Sequence, residues 1–312
     1  MYGRKKTLSI VMATYNGERF LREQLDSLYR QTLQPDEVLV VDDCSTDGTV
    51  GILEEYHHSH GLKYVVNGQN LRVNKNFEKG LKLCSGDYIM FCDQDDVWMD
   101  NKIELMMQRM NLLAGENGDI PLIVSSRDTY ADAEMNVYHS LTLKEDCDSY
   151  RDTVIHHLSQ GSAMLLNRRC LDYIFPIPDY STGICYDIHI GYIIAMTGKK
   201  YNMKESLMYY RVHGNNVTAT TVTPVRKKSD FRRHRETSVV PMHMIECFKN
   251  ANSLIGDVIP FDRMVYVKKI IAIAETNNLL YLLWLLVRTP HVTIKKKFRS
   301  FYCCLLNIVL LS

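Results

Sequence analysis

Residues 37–47 read Glu37-Val-Leu-Val-Val-Asp-Asp-Cys-Ser-Thr-Asp47, an apolar run of strand type that leads into two neighbouring carboxylates. Open α/β sheets bind their ligands at the carboxyl ends of the strands, so a functional carboxylate is expected here. An aspartate followed by Ser, Thr and Gly is also a common turn or helix cap, because its side chain accepts hydrogen bonds from free backbone N–H groups. We interpret Asp47 as such a cap and Asp43 as a functional residue.

Short apolar runs alternate with segments of helical period from Leu8 to Ser126, which is typical of βα units that build a mostly parallel sheet. Apolar residues recur at helical spacing from Phe20 to Leu28, and Pro35 lies in the loop that follows. The predicted strands are Leu8–Ala13, Glu37–Val41, Lys63–Val66, Tyr88–Cys92 and Leu122–Ser125.

The pattern is less regular after Arg127. A polar stretch, Asp128–Asp152, is either a binding loop or a surface insertion, and the residues alone favour neither interpretation. Three further elements return the chain to a packed core: a strand at Ala163–Leu166, a helix that starts near Tyr186, and a strand at Leu207–Tyr210.

A second acidic run follows the fourth predicted strand and reads Cys92-Asp-Gln-Asp-Asp-Val-Trp98. Its three carboxylates, at positions 93, 95 and 96, are so close that each raises the pKa of the others. A divalent cation is the usual counter-ion, because hard oxygen ligands suit Mg²⁺ or Mn²⁺. A solvated acidic turn is the alternative, but the bulky Trp98 favours a partly closed site.

Two later clusters contain candidate acid, base or ligand groups. Tyr186-Asp-Ile-His189 lies at a predicted helix start, where Asp187 is either functional or an N-cap. Tyr209-Tyr-Arg-Val-His-Gly-Asn-Asn216 contains His213, and a lone histidine is more often a surface or core residue than a ligand.

Several enzyme classes lack their signals in this chain. It has no phosphate-binding GxxxxGK loop and no G-x-G-x-x-G after the first predicted strand, which excludes kinases and dehydrogenases, and no nucleophile elbow is present. Nine cysteines without a CxxC pair indicate free thiols in a reducing compartment. The basic start resembles a signal peptide, but the apolar run behind it ends at Ala13, so export is not expected.

The C-terminal third differs in charge from the rest. Residues 201–312 contain 17 Lys and Arg against 7 Asp and Glu, and the remaining residues contain 20 against 29. A basic cluster at Arg226–Arg235 precedes apolar runs at Leu279–Val287 and Phe301–Leu311, each shorter than the roughly 20 residues that span a bilayer. Such runs flanked by Lys and Arg bind anionic membrane surfaces. Alternatively, both are core helices of a small C-terminal subdomain.

The chain contains four ordered motifs, which read Ser9-Ile-Val-Met-Ala-Thr-Tyr-Asn16, Val41-Asp-Asp-Cys-Ser-Thr-Asp47, Cys92-Asp-Gln-Asp-Asp-Val-Trp98 and Tyr210-Arg-Val-His-Gly-Asn-Asn216. Together they resemble the family 2 inverting glycosyltransferases, and within them the rhamnosyltransferase-like bacterial members that build surface polysaccharides. The resemblance covers about residues 7–217. It implies the α/β nucleotide-diphospho-sugar transferase (GT-A) fold, a mostly parallel mixed sheet flanked by helices, for a catalytic domain at 1–217. A basic, amphipathic helical region would occupy 218–312.

The resemblance implies which residues bind the donor nucleotide. Thr14 and Tyr15 would line the pocket for the base, and Asp43 would contact a pyrimidine. Asp93 would lie near both the ribose and the metal.

The resemblance also implies a metal site and a catalytic base. Asp95 would bind a cation, Mn²⁺ or Mg²⁺, that bridges the diphosphate oxygens, with Asp93 beside it. His213 would complete this metal site, and Asp187 would be the catalytic base.

The chain departs from the family pattern at two places. Relatives often have His-Asp-Trp-Trp where this chain has Tyr186-Asp-Ile-His189, so the aromatic floor near the acceptor is expected to be altered. They tend to have glycine in place of Arg72, which would either move its loop or add a phosphate contact. The Q-x-x-R-W signature of processive synthases is absent, which favours the transfer of one sugar per encounter.

The implied function is metal-dependent, inverting transfer of a sugar from a nucleoside-diphosphate sugar, dTDP-rhamnose or a UDP-hexose, to a lipid-linked saccharide. The enzyme would lie peripherally at the cytoplasmic face of the inner membrane, and no nucleic-acid partner is expected. Two alternatives are a sugar-phosphate nucleotidyltransferase and a catalytically inactive sugar- or lipid-binding protein of the same fold. A nucleotidyltransferase would need a glycine-rich basic loop after the first strand, and Thr14-Tyr-Asn-Gly-Glu18 is neither.

Overall fold

The computed structural model describes residues 5–140, 146–148, 160–180, 185–214, 216 and 242–276. The strands are β1 Leu8–Thr14, β2 Glu37–Asp42, β3 Lys63–Val66, β4 Tyr88–Cys92, β5 Val97–Trp98, β6 Leu122–Ala131, β7 Val137–Ser140, β8 Asp146–Asp148, β9 Met164–Asn167 and β10 Lys199–Arg211. The helices are α1 Leu21–Tyr29, α2 Thr49–His60, α3 Arg72–Leu83, α4 Lys102–Asn117, α5 Leu171–Ile174, α6 Tyr186–Thr197, α7 Met242–Ile255 and α8 Phe261–Thr276, and two short 3₁₀ turns lie at Gly161–Ala163 and Arg168–Cys170.

All these strands belong to one mixed sheet. Its main order is β3-β2-β1-β4-β9-β6-β10-β5, and β7 and β8 pair with β6 and β10. Strands β1 to β4 are mutually parallel, β9 is antiparallel to both of its neighbours, and β6 and β10 are parallel to each other. Most of the sheet therefore runs in one direction, as the sequence predicts.

The register of the parallel half brings the functional strand ends to one edge. Thr14 of β1 pairs with Asp42 of β2, and Met12 of β1 pairs with Cys92 of β4. The residues that follow these strands emerge side by side, because neighbouring parallel strands end at the same edge. The site described below lies there.

Each face of the sheet is covered by helices. Helices α1, α2 and α4 pack on one face through residues such as Leu25, Leu53 and Met106. Helices α3 and α6 pack on the other face, where Phe77 and Ile190 are buried. Burial of both faces explains why the central strands read as nearly continuous apolar runs.

Helices α7 and α8 belong to the same core as the sheet. The ring of Phe248 stacks on Tyr192 with 4.7 Å between centroids. The guanidinium of Arg263 donates to the carbonyls of Ala195 and Met196 at the carboxyl end of α6, at 3.0 and 2.9 Å. Residues 242–276 thus pack against the predicted catalytic domain, although they lie beyond the predicted boundary at 217. The basic cluster at 226–235 and the apolar runs at 279–287 and 301–311 lie outside the described residues.

Two strands are longer than their sequence patterns indicate. Strand β6 continues from Ser125 to Ala131, so the first residues of the predicted polar stretch are in the sheet rather than in a loop or insertion. Strand β10 begins at Lys199 rather than near Leu207. Both extensions contain buried polar residues, which interrupt the apolar pattern that predicts a strand. These residues nevertheless extend the two strands, because they pair with neighbouring strands. Of the rest of the stretch, residues 141–145 and 149–152 lie outside the described residues.

Three loops at the functional edge contain a residue in the left-handed conformation. They are Asn16, Cys44 and Arg72, with φ of 47°, 68° and 67°. Arg72 thus has the backbone conformation that favours glycine, the residue that the sequence resemblance implies for this position. A side chain in this conformation carries a steric cost.

Arg72→Gly is expected to stabilise the protein by about 1 kcal/mol, because a non-glycine residue pays roughly that amount in the left-handed region. Urea unfolding of the wild type and the variant measures it. Arg72→Ala is the matched control, since it removes the same side chain but keeps Cβ. Equal stability of the two variants would contradict the explanation.

Candidate active site

Asp42 joins the loops that follow β1 and β2. Its buried carboxylate accepts hydrogen bonds from the Thr14 hydroxyl at 2.9 Å and from the backbone N–H and hydroxyl of Ser45 at 2.9 and 2.5 Å. Asp43 donates its backbone N–H to the Thr14 carbonyl at 2.8 Å. Thr14 is predicted to line the base pocket. Its hydroxyl instead donates a hydrogen bond within the protein, and Thr14 is only 2% exposed.

The Asp43 carboxylate holds the loop before α3. It accepts hydrogen bonds from the Asn67 side chain at 2.8 Å and from the backbone N–H groups of Leu71 and Arg72 at 2.7 and 2.9 Å. These contacts give Asp43 a structural role, and its predicted contact with a pyrimidine stays a prediction. Asp47, interpreted as a cap, accepts hydrogen bonds from the N–H and hydroxyl of Thr49 at the start of α2.

Tyr15 presents a half-exposed ring at this edge, and its backbone is held by Gln94. The Tyr15 N–H donates to the Gln94 side-chain oxygen at 2.8 Å, and the Gln94 amide donates back to the Tyr15 carbonyl at 3.1 Å. A Cβ atom on Gly17 would lie only 2.3 Å from that Gln94 oxygen. A side chain at Gly17 would therefore displace the Gln94 amide from its hydrogen bonds with Tyr15.

The acidic run after β4 contains carboxylates in different environments. Asp96 is fully buried and accepts the backbone N–H of Arg211 at 3.1 Å. Burial, together with the charges of Asp95 and Asp93, raises the pKa of Asp96 well above its usual range. Asp93 and Asp95 remain partly exposed. Only these two can reach a ligand.

His213 lies beside Asp95. Its Nε2 is 2.9 Å from an Asp95 carboxylate oxygen, and its ring centroid is 4.8 Å from that of Phe20. The backbone N–H of His213 donates to the Asn216 side chain at 2.6 Å, and Asn216 donates to the Arg211 carbonyl at 3.0 Å. The turn after β10 thus orients the imidazole towards the acidic run.

Arg211 is a residue that sequence reasoning missed. Its guanidinium is buried and donates to the carbonyl of Asp95 at 2.8 Å, to the carbonyl of Ala133 at 2.7 Å, and to the carboxylate of Glu23. It also lies 4.5 Å from the ring centroid of Phe20. In the sequence, the only sign of its importance was its position inside the Tyr210–Asn216 motif. The folded chain shows that the Arg211 side chain holds the acidic loop.

Asp187 lies in the first turn of α6, one residue after its start. One carboxylate oxygen accepts the backbone N–H of Gly161 at 3.1 Å and the other accepts that of Ile188 at 2.8 Å. Burial raises the pKa of Asp187 to about 6. Burial also raises the pKa of Asp93 to about 7, and the charges of Asp95 and Asp187 act in the same direction. The predicted base thus lies close enough to Asp93 for its charge to act on that carboxyl.

Two neighbours of Asp187 face the core. Tyr186 packs there, 4.0 Å from Phe77 and 5.0 Å from Phe91 between ring centroids. His189 is fully buried, and its ring nitrogens contact the Tyr180 hydroxyl and the Ile174 carbonyl. Burial lowers the pKa of His189 to about 4. Within the Tyr186–His189 cluster, His189 is therefore a residue of the packed core.

Comparison with known proteins identifies this chain. The glycosyl transferase family 2 model matches residues 9–172, more than half of the sequence. The chain belongs to glycosyl transferase family 2. Membership excludes the nucleotidyltransferase alternative and agrees with the sequence resemblance. The matched segment includes Thr14, Asp43, Asp93 and Asp95 but ends before Asp187 and His213.

Relatives and solved structures agree with this assignment. This glycosyltransferase is 27% identical to the dTDP-rhamnosyl transferase RfbG of Shigella flexneri over 228 residues, 68% of this chain and 75% of the relative. The fold is similar to that of S. aureus TarS in complex with UDP, with a TM-score of 0.56, 16% identity, and coverage of 96% and 89%. It is also similar to the mannosyltransferase PcManGT from Pyrobaculum calidifontis in complex with GDP-Man and Mn²⁺, with a TM-score of 0.55, 17% identity, and coverage of 98% and 80%.

The candidate ligand side chains at this edge allow a metal ion that is held by two protein residues. Within the described ranges, no three His, Cys, Asp or Glu side chains are arranged to hold a cation, so the predicted cluster of Asp93, Asp95 and His213 is not formed. Asp95 and His213 do lie in contact. Mg²⁺ typically uses one or two carboxylates and takes its remaining ligands from substrate phosphates and water. Asp95 supplies the one carboxylate that this arrangement needs, and His213 lies beside it.

Removing the cation or Asp95 is expected to abolish transfer by this glycosyltransferase while the protein stays folded. Asp95→Ala should lower the transfer rate about 100-fold or more, and His213→Ala should lower it less because water can replace one ligand. Product formation is measured with added Mn²⁺ and with excess chelator. Asp100→Ala, which removes an exposed carboxylate nearby, is the control. Normal turnover in excess chelator would rule out the metal site.

Proposed function

We propose that this glycosyltransferase transfers one sugar at a time, with inversion, from a nucleoside-diphosphate sugar to a hydroxyl of a lipid-linked saccharide during synthesis of a bacterial surface polysaccharide. The observation that carries the proposal is the position of Asp187 close enough to Asp93 for its charge to act on that carboxyl, at the carboxyl edge of the sheet. A base beside an acidic run that can hold a cation can act on the two ends of a single displacement. The name of RfbG supports a dTDP-rhamnose donor, and the UDP in TarS supports a UDP-hexose.

Asp187 is the proposed general base. As the acceptor oxygen attacks the anomeric carbon, its proton passes to the Asp187 carboxylate, and the bond from the carbon to the diphosphate oxygen breaks on the opposite face. The configuration therefore inverts. The hydrogen bonds from Gly161 and Ile188 orient the carboxylate, and its raised pKa makes it a stronger proton acceptor than an exposed aspartate.

The leaving diphosphate needs positive charge, which a divalent cation supplies as a Lewis acid when bound. Asp95 and His213 would hold that cation, and Asp93 would orient the ribose beside it. Tyr15, with its half-exposed ring, would stack on the base. Asp43 and Asp42 would keep the surrounding loops in place.

Asp187→Asn is expected to lower the transfer rate by about 10²–10⁴-fold while nucleotide binding stays normal. Asparagine caps a helix about as well as aspartate but cannot accept the proton, so a cap role alone predicts little change. Because the base acts when ionised, wild-type activity should be present above about pH 6 and fall as the pH drops through that value.

Sugar transfer and nucleotide binding are measured in parallel across pH, after circular dichroism has verified folding. Asp172→Asn makes the same change at an exposed, ion-paired residue and should leave both unchanged. Near-normal transfer by Asp187→Asn would refute the assignment of the base.

We further propose that the enzyme works at the cytoplasmic face of the inner membrane, where a lipid-linked acceptor resides. Within the described part of the chain, no helix has the length and apolar character to cross a bilayer. The support comes from the sequence, which combines the basic cluster at Arg226–Arg235 with apolar runs at 279–287 and 301–311.

Flotation with anionic liposomes tests the location. The full chain should float with anionic vesicles, less so with neutral ones, and less again at high salt, because salt screens charge attraction. A chain that ends at Pro290 is the comparison. Equal flotation of both chains would show that the last apolar run is not an anchor, and failure of the full chain to float would refute membrane association.

A further inference from the structure

Lys102, at the start of α4, is a fully buried lysine beneath the acidic run. Its ammonium group lies 3.9 Å from the ring centroid of Trp98 and 3.1 Å from the sulfur of Met208. It donates a hydrogen bond of 2.6 Å to the backbone carbonyl of Ser162. A buried ammonium is costly to desolvate, so its position requires compensating contacts.

The surroundings of Lys102 are acidic. Burial lowers the pKa of Lys102 to about 8, and Asp128 opposes this shift most among the carboxylates, followed by Asp96 and Asp93. Asp128 lies on β6, whereas the other two follow β4. The ammonium therefore lies between two parts of the sheet that contribute negative charge to one buried region.

The hydrogen bond to Ser162 connects this lysine to the proposed base. Ser162 is the middle residue of the 3₁₀ turn Gly161–Ala163, and the first residue of that turn donates its N–H to Asp187. The turn is buried, and a Cβ on Gly161 would lie 1.9 Å from the Tyr186 hydroxyl oxygen. It therefore has little room to shift, and its contact with Asp187 depends on its position.

We propose that Lys102 is a positioning residue that holds the Gly161–Ala163 turn against the acidic run and so orients the Asp187 carboxylate relative to the bound donor. The proposal rests on the function proposed for Asp187. The side-chain ammonium of Lys102 thus connects the turn, through the Ser162 carbonyl, to the acidic loop that would bind the diphosphate.

A role in stability alone makes a different forecast. Replacing a buried charge by an apolar residue of similar volume is often neutral or stabilising, because the desolvation cost disappears. Lys102→Met has a suitable shape and adjoins Met208. It removes both the hydrogen bond to Ser162 and the positive charge.

The kinetic test compares Lys102→Met with the wild type. Displacement of the base should lower kcat by about 10- to 100-fold, whereas the dissociation constant for the nucleoside diphosphate should change less than the rate. Lys82→Met, which removes a half-exposed lysine from α3, is the matched control and should retain wild-type kinetics. Unchanged kcat, or equal losses of rate and binding, would overturn the proposal.

Hydrogen exchange provides a readout that does not depend on activity. In Lys102→Met, the peptide that contains Gln160–Met164 should exchange at least about tenfold faster, because its turn loses an anchor, while the peptide of β1 should be unchanged. Unaltered exchange at the turn would overturn the role of Lys102. If the wild type transfers no sugar, the proposed function fails, and exchange still tests Lys102. If Lys102→Met does not fold, Lys102→Gln is measured in the same two ways.

Discussion

Crowded carboxylates at the carboxyl end of β4 are the constraint on which this edge of the molecule depends. Asp93, Asp95 and Asp96 lie within four positions of one another, and the fold adds Asp187 nearby. Burial disfavours the ionised forms of Asp93, Asp96 and Asp187, and neighbouring carboxylates add to this cost at Asp93 and Asp96. A stable arrangement therefore needs positive charge or hydrogen-bond donors from elsewhere in the chain.

Two buried cations from distant segments meet that need. Arg211, at the end of β10, holds the Asp95 carbonyl and leads directly into the turn that presents His213. Lys102, at the start of α4, contacts the turn beside Asp187. One cation supports the side proposed to bind the diphosphate, and the other supports the side proposed to activate the acceptor. The two halves of the reaction thus share one electrostatic framework.

The helix that carries Asp187 is held at both ends. Its first turn contacts the buried Gly161, and the carbonyls at its last turn accept hydrogen bonds from Arg263 of α8. A guanidinium at a helix carboxyl end satisfies free carbonyls and complements the helix dipole. Residues beyond the segment matched by the family model therefore help to place the proposed base.

The sequence by itself determined the βα alternation, the strand bounds of β3 and β4, and the position of the acidic run, because apolar periodicity and strand-end carboxylates are local features. It also singled out Arg72, which has the left-handed backbone conformation that glycine favours. Only the tertiary structure decided that Tyr186 and His189 face the core, that β6 and β10 contain buried polar residues, and that Lys102 and Arg211 support the site. The hydrogen bonds of Lys102 and Arg211 reach partners about 60 to 190 positions away in the chain, and no local pattern encodes which distant carbonyl or carboxylate a buried cation will meet.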